Sequence, residues 1–521
     1  MLENFLNKRF YTLYIIPFLL GSLTIFSFQP FNFSFINFFI LPSFFYLIIF
    51  IKKKSKSTYR KKPFKKNLFI FSTAFGFGFY LSGIHWINYS LTFDESFKIF
   101  IPFGLILIPL FLSLFFSSII LIIGPYLDYN LRSILLFSGG LAFSDFIRAK
   151  ILTGFPWNLW SYSLSWSVEI IQSLNLIGFF AFNLIAITIF TLPSFLYFNY
   201  NISKKLLLVL TLTLLIFSIF IFGSHTINKN KTFLQNFESK FNIKVVSPNF
   251  RLKYGLNENE IEERLKKLIK YSEPDKITKT LFIWPEGVFS GYRFDELKKF
   301  QGYFLKNFGK NHYIIFGVNK LDKNKVGVYN SLVIVNNRLE IVKKYNKQKL
   351  VPFGEFLPFE KVLNKIGFKK ITEGHGSFLK GDKQNNLIIK ELNILPLICY
   401  EIIFTKFIQD SGKNTNLIVN ISEDGWFGKS VGPHQHFSKA IFRSIEQNSF
   451  LIRSTNKGIS AIINNKGEII KKLDVNEAGN IEFDVPLVEN KNKNKNDLIF
   501  FILLITYLLI FLINKKKYVE Q

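Results

Sequence analysis

The chain has 521 residues, 49% of them hydrophobic, with a mean hydropathy of +0.23; that much apolar sequence argues for a membrane protein over a soluble one. A formal net charge of +29 invites a nucleic-acid partner, but nine Lys and Arg crowd Lys52 to Lys66 between two apolar runs, where positive charge marks a cytoplasmic loop, so no nucleic acid is expected. The one cysteine, Cys399, excludes an intramolecular disulfide and a paired-cysteine zinc site.

Apolar runs of bilayer-crossing length, about 20 residues at 1.5 Å per residue, lie at 10–28, 33–51, 67–87, 99–124, 132–149, 170–198 and 205–223, with an eighth at Leu498–Ile513. They predict a transmembrane domain over 1–227 with about seven helices, then a final helix and cytoplasmic tail within 493–521. Asp145 and Arg148 make the fifth run the weakest. Lys8, Arg9 and the nine-charge loop flank the first two runs, so a hairpin there puts both flanks in the cytoplasm, and alternation leaves everything after the seventh run outside. Three lysines in KNKNKND, a stretch that reads as a solvated linker, run against this orientation. The first run lacks a small-residue cleavage site and reads as an uncleaved anchor. The 65 phenylalanines reflect a compositional bias, and no single one is read as functional.

Residues 228–492 are of another kind. Short β-rich runs (FNIKVVSPN, KTLFIWPE, HYIIFGVNK, YNSLVIVN, LNILPLICY, TNLIVNIS, FLIRSTNKG, ISAIINNKG) alternate with helical stretches such as NENEIEERLKKLIKYSE, whose apolar residues recur every three or four positions. This predicts an α/β domain whose buried strands show as continuous apolar runs.

Cys399 closes the strand-like ILPLIC, and Glu401 opens the next element. A thiol at a strand-to-helix turn meets backbone N–H groups that lower its pKa and offer donors to an oxyanion; the bland alternative is a buried structural cysteine. A thiol needs a base, often histidine. The pair His434 and His436 in GPHQHF is too few for a metal site and reads as structural or substrate-facing, so no metal or cofactor is expected. A buried carboxylate also serves as a base. Glu286 in WPEGVF follows the strand LFIW, and KKYNKQKLVPFGEF places Lys347 after Tyr345 and Glu355 after the turn PFG. Read singly, these are an exposed loop glutamate and part of a solvated lysine run.

Together, WPE, then Y-x-K-x-x-LVPFGE, then ICYE, in that order, resemble the Glu, Lys and Cys elements of the nitrilase superfamily. ISEDGWFGKSVGPHQHF and LIRSTNKGISAII after the cysteine, and LTGFPWNLWSYS before the sixth run, resemble its membrane-bound branch, the apolipoprotein N-acyltransferase family. The resemblance spans nearly the whole chain. It implies an αββα sandwich outside the cytoplasm joined to a multi-span helical membrane domain. It makes Cys399 the nucleophile, Glu286 the general base and acid, and Lys347 the cation that holds the tetrahedral intermediate, with Glu355, Tyr400 and Glu401 supporting them. Two positions depart from the family: Lys349 stands where histidine is common, and SEDGWFG replaces an asparagine-containing version.

The implied reaction moves a fatty acyl chain from a phospholipid through a Cys399 thioester to the N-terminal amine of a diacylglyceryl-cysteine apolipoprotein, at a bacterial inner membrane with the catalytic domain on its periplasmic side. Trp157, with Phe155, Trp160 and Tyr162, is expected at the lipid entrance or in the aromatic belt, and Trp426 against substrate. The rival readings are a membrane-tethered carbon-nitrogen hydrolase, in which water replaces the amine, and a non-catalytic lipid-binding protein.

Overall fold

The computed structural model describes residues 8–521 apart from 58, 60, 254, 323, 325–326, 361–376, 384–385, 412–413, 490–495 and 517–521. The expected linker around 490–496 lies almost wholly outside the described residues, as does the end of the tail. The chain divides into two compact units, Met1–Thr226 with Lys495–Gln521, and Ile227–Asn494.

The first unit is helical. Five described helices are long and apolar enough to cross a membrane: Ser34–Lys54, Phe64–Thr92, Glu95–Tyr126, Phe179–Tyr197 and Ile202–Gln235. Tyr11–Ser27 and Asp497–Ile513 are shorter apolar helices. Eight spans were expected, and the differences have local causes. The fifth run does form a helix, Leu131–Lys150, but Asp145 and Arg148 lower its apolar character. The sixth starts late because Gly178, at φ +81°, breaks the chain between Leu174–Ile177 and Phe179–Thr191. Small residues let helices approach closely: a Cβ on Gly21 would meet the Phe75 carbonyl oxygen at 2.0 Å, and one on Gly78 the Phe18 carbonyl oxygen at 2.2 Å.

The loop Gly154–Leu164 is packed inward, in contrast to the interfacial position expected of its rings. Trp157, Trp160 and Tyr162 are each 1% exposed, and Trp157 lies 4.9 Å from Trp86. The cause is a buried polar anchor. Arg148 pairs with Asp145 at 2.9 Å and donates to the Phe155 and Trp157 carbonyls, while Asn183 ties Asp145 (3.0 Å) to the Ser161 N–H (3.0 Å). Backbone carbonyls satisfied by a buried guanidinium hold the loop inside.

The second unit is a two-sheet sandwich. Its strands are β1 Lys240–Ser247, β2 Thr280–Ile283, β3 Tyr313–Leu321, β4 Val328–Val335, β5 Ile341–Asn346, β6 Leu387–Ile389, β7 Leu392–Ile398, β8 Leu417–Glu423, β9 Phe450–Asn456, β10 Ser460–Ile463, β11 Ile469–Leu473 and β12 Gly479–Pro486. One sheet runs β12-β1-β2-β3-β4-β5, the other β11-β10-β9-β8-β7-β6. Period-two alternation decides the layers. Leu281 and Ile283 of β2 face the other sheet and share one core with Ile394, Ile398, Val419 and Ile421, whereas Phe282 and Trp284 face outward onto Ile261, Leu265 and Leu268 of the helix Glu258–Ser272. On the far side the helix Gly432–Gln447 covers β9 and β10. The layering is αββα, and β7, β8 and β9 run parallel, so their C-terminal ends come out together.

Candidate active site

Each singled-out residue sits just beyond the C-terminal end of a strand. Glu286 follows β2 through Trp284 and Pro285, Lys347 follows β5, and Cys399 follows β7. Gly317 of β3 leaves room for the first: a Cβ there would stand 2.9 Å from the Glu286 Cα.

Lys347, 1% exposed, reaches Glu355 at 2.9 Å and Glu286 at 3.7 Å. Asn330 on β4 donates from Nδ2 to both carboxylates, at 2.7 Å to Glu286 and 2.8 Å to Glu355. The other oxygen of Glu286 accepts from the Glu423 N–H at 3.1 Å, and that of Glu355 from the Val351 N–H at 2.9 Å. Three acidic or basic side chains that read separately as surface charge are thus one buried cluster. Burial pushes Glu286 above the usual carboxylate range; Lys347 opposes this and Glu355 adds to it. Burial works against the Lys347 charge, yet the Glu355 and Glu286 carboxylates hold the ammonium well above its ordinary value.

Cys399 adopts φ +49°, the left-handed region that a β-carbon disfavours. Glu401 holds it there. That fully buried carboxylate accepts from the Tyr345 hydroxyl at 2.7 Å and from three backbone N–H groups: Gln348 at 2.7 Å, Lys349 at 3.0 Å and Ile398 at 2.8 Å. Burial pushes it up to about 7 despite these donors. The Cys399 side chain is half-buried. Loss of solvation still raises its thiol, with Glu286 raising it further and Lys347 opposing. An apolar niche therefore favours the neutral thiol, and a thiolate forms there only where a base removes the proton and a cation stands by.

Tyr400 lies edge-on to Phe404, with ring centroids 5.0 Å apart. The Lys349 Nζ sits 5.2 Å from the Phe404 ring centroid, and its backbone N–H donates to Glu401. Trp426 is half-buried in the turn Asp424–Phe427, and Trp157 belongs to the other unit.

Sequence reasoning missed a second polar layer. Asn330 could have been found as a lone amide in the apolar strand YNSLVIV. Beside the nucleophile, Ser422 donates to Asp424 at 2.7 Å, and Asp424 pairs with Arg453 at 2.8 Å and His436 at 3.0 Å, all fully buried. Burial opposes the Asp424 charge, but the Arg453 guanidinium keeps it ionised far below the carboxylate range. Burial pushes His436 down to about 4, so its ring is neutral. Glu423 lies in SEDGWFG, the segment that departs from the resemblance. Its oxygens accept from the Gly425 N–H (2.8 Å) and Asn456 (2.7 Å), and burial pushes it up to about 8.

Comparison with known proteins identifies the family. The family signature "Apolipoprotein N-acyltransferase N-terminal domain" matches residues 20–192, and "Carbon-nitrogen hydrolase" matches residues 254–491. Proteins named apolipoprotein N-acyltransferase align along most of their length. That of Rickettsia typhi is 32% identical over 511 residues, covering 95% of this chain and 98% of its own. That of Rickettsia bellii is 32% identical over 84% of this chain and 88% of its own, and that of Rhodopseudomonas palustris 29% identical over 79% of each. With both signatures in order on one chain and a relative aligned end to end, this protein belongs to the apolipoprotein N-acyltransferase family.

Proposed function

We propose that the protein transfers a fatty acyl chain from a phospholipid to the N-terminal amine of a diacylglyceryl-cysteine apolipoprotein, through a thioester on Cys399. The observation that carries this reading is the buried Lys347 ammonium held between Glu286 and Glu355 within electrostatic reach of the Cys399 sulfur. Glu286, its proton affinity raised by burial, takes the thiol proton. The thiolate attacks the ester carbonyl, and the charge on its oxygen is held by Lys347 and the Tyr400 backbone N–H. The ester C–O bond breaks, Glu286 protonates the departing lysophospholipid, and the acyl group stays on sulfur. In the second half the acceptor amine attacks the thioester carbonyl and Glu286 takes its extra proton; the C–S bond breaks as the C–N amide bond forms, and Glu286 returns the proton to the departing Cys399 sulfur.

The apolar helices and the membership in this family support a membrane setting for both substrates. We place the catalytic unit on the periplasmic side of a bacterial inner membrane, because the nine-charge loop fits the cytoplasmic side. Intact-protein mass spectrometry of the full chain incubated with phospholipid tests the reading. One fatty-acyl mass on Cys399, discharged by a diacylglyceryl-cysteine peptide, is expected. Discharge by water at the same rate with or without peptide would make it a hydrolase, and no loading at all would remove the nucleophile assignment.

A further inference from the structure

The catalytic scheme leaves a buried group unused directly beside the reacting sulfur. β7 and β8 are parallel with Ile398 opposite Ile421, so the next residues along, Cys399 and Ser422, lie side by side where the strands end, and Ser422 is within hydrogen-bonding reach of the sulfur. Ser422 is completely buried. Its hydroxyl donates to Asp424 Oδ1 at 2.7 Å. Asp424 does not depend on that bond. His436 Nδ1 stands 3.0 Å from Oδ1 and 2.9 Å from Arg453 Nη2, which itself stands 2.8 Å from Oδ2, with Arg453 Nη1 fixed on Asn420. A hydroxyl rotates at little cost, and a hydrogen bond to a newly formed sulfur anion is charge-assisted, whereas the Asp424 carboxylate already has the Arg453 guanidinium as its partner.

We propose that Ser422 is a further catalytic residue, a rotating donor that bonds Asp424 while Cys399 keeps its proton and turns to the sulfur when Glu286 removes it. The inference rests on Cys399 being the nucleophile. Ser422 keeps its own proton throughout: the S–H bond breaks toward the Glu286 carboxylate, and the Ser422 O–H changes only its acceptor. Asp424 and Arg453 are positioning residues: the guanidinium on Oδ2 keeps the carboxylate paired when the hydroxyl turns away. The charged groups facing the sulfur are Glu286, Lys347 and Asp424. Of these only Lys347 favours the thiolate, so a neutral donor on the opposite flank has an effect to exert. The family reading supplies no role for this serine.

Because Cys399 is the chain's single cysteine, alkylation by iodoacetamide reports on this sulfur alone and needs no lipid substrate. The detergent-solubilised full chain is alkylated over the neutral to alkaline range, and the rate read against pH. Loss of a charge-assisted hydrogen bond to the thiolate is expected to slow Ser422→Ala about tenfold at neutral pH, with the profile displaced toward alkaline pH. Where alanine loosens the strand, Ser422→Thr and Ser422→Val have matched shape and differ in the hydroxyl; threonine is expected near the wild-type rate and valine near alanine. Equal rates for threonine and valine, or an alanine variant as fast as wild type, would overturn the proposal. If the acyl-transfer reading fails instead, phospholipid loads no acyl group while these alkylation differences persist.

Discussion

The Glu401 carboxylate reaches back past Cys399 to the Ile398 N–H at 2.8 Å, closing a loop of backbone around the nucleophile. Its other oxygen collects the Tyr345 hydroxyl and two further N–H groups, so both oxygens act as acceptors. Glutamine offers one acceptor and turns an N–H₂ toward donors at the other end. Glu401→Gln is therefore expected to orphan at least one buried N–H, at about 1–3 kcal/mol, and to release the strained φ of Cys399. A lower thermal unfolding midpoint together with slower acyl loading of Cys399 is expected; an unchanged midpoint and loading rate would contradict this role. Tyr345→Phe removes a single donor and should cost about 1 kcal/mol.

Lys347 is the only cation bonded to Glu286 or Glu355 among the described residues. Lys347→Met leaves two carboxylates facing each other across Asn330 and removes the charge that meets the developing oxyanion. Acyl loading of Cys399 should fall by about 10²–10³-fold, the scale for a lost transition-state donor. Asn330→Ala keeps the cation and loses only the amide that braces both carboxylates, so its loading rate should lie between that variant and wild type. Rapid-quench mass spectrometry of the acyl-enzyme separates the three; a Lys347→Met protein that loads at the wild-type rate would exclude the electrostatic role.

How much of this was visible in the sequence follows from burial. The eight strands read from apolar runs are the four central strands of each sheet, where both faces are covered. The four that escaped, β5, β6, β11 and β12, are the edge strands. There the chain is half-exposed and polar, as in IVKKYN and IIKKL, very short, as in LII, or alternating, as in GNIEFDVP, so no continuous apolar run forms. The site divides the same way. Glu286, Lys347 and Cys399 come with recognisable neighbours, whereas Asn330, Ser422 and Arg453 gain their meaning only when strands distant in sequence are laid side by side. The aromatic loop misled because tryptophans near an apolar run suggest an interface, and the buried Arg148 that draws the loop inward gives no such signal in sequence.

Glu423 gives the site a pH dependence of definite sign. Its carboxyl is pushed up to about 8 by burial, above an ordinary glutamate at about 4.3. A folded-state pKa above the unfolded value favours the fold fully below the lower one, and this contribution is lost as pH rises through about 8. Glu286 and Glu401 shift the same way, so the wild-type slope belongs to all three. The difference between wild type and Glu423→Gln isolates one of them. Glutamine carries no charge but keeps only one of the two acceptors that serve Gly425 and Asn456, a deficit that does not change with pH, so the variant should start below wild type in mild acid and gain on it as pH rises through about 8. Parallel midpoint curves across the whole range would show that Glu423 is ionised throughout.

In the helical unit, Arg148 is 2% exposed and serves Asp145 and two loop carbonyls at once. Removing one member of a buried ion pair costs about 3–5 kcal/mol, whereas replacing both by uncharged groups of similar size costs much less. Arg148→Met should therefore unfold at a clearly lower temperature than wild type and expose the segment after Gly154 to protease. Adding Asp145→Asn removes the stranded carboxylate and should recover part of that midpoint, but not the protection, because the Phe155 and Trp157 carbonyls still lack their donor. A double variant less stable than the single would mean that Asp145 has a partner stronger than Arg148. Equal protease resistance in all three proteins would mean that the loop is held by its buried rings alone.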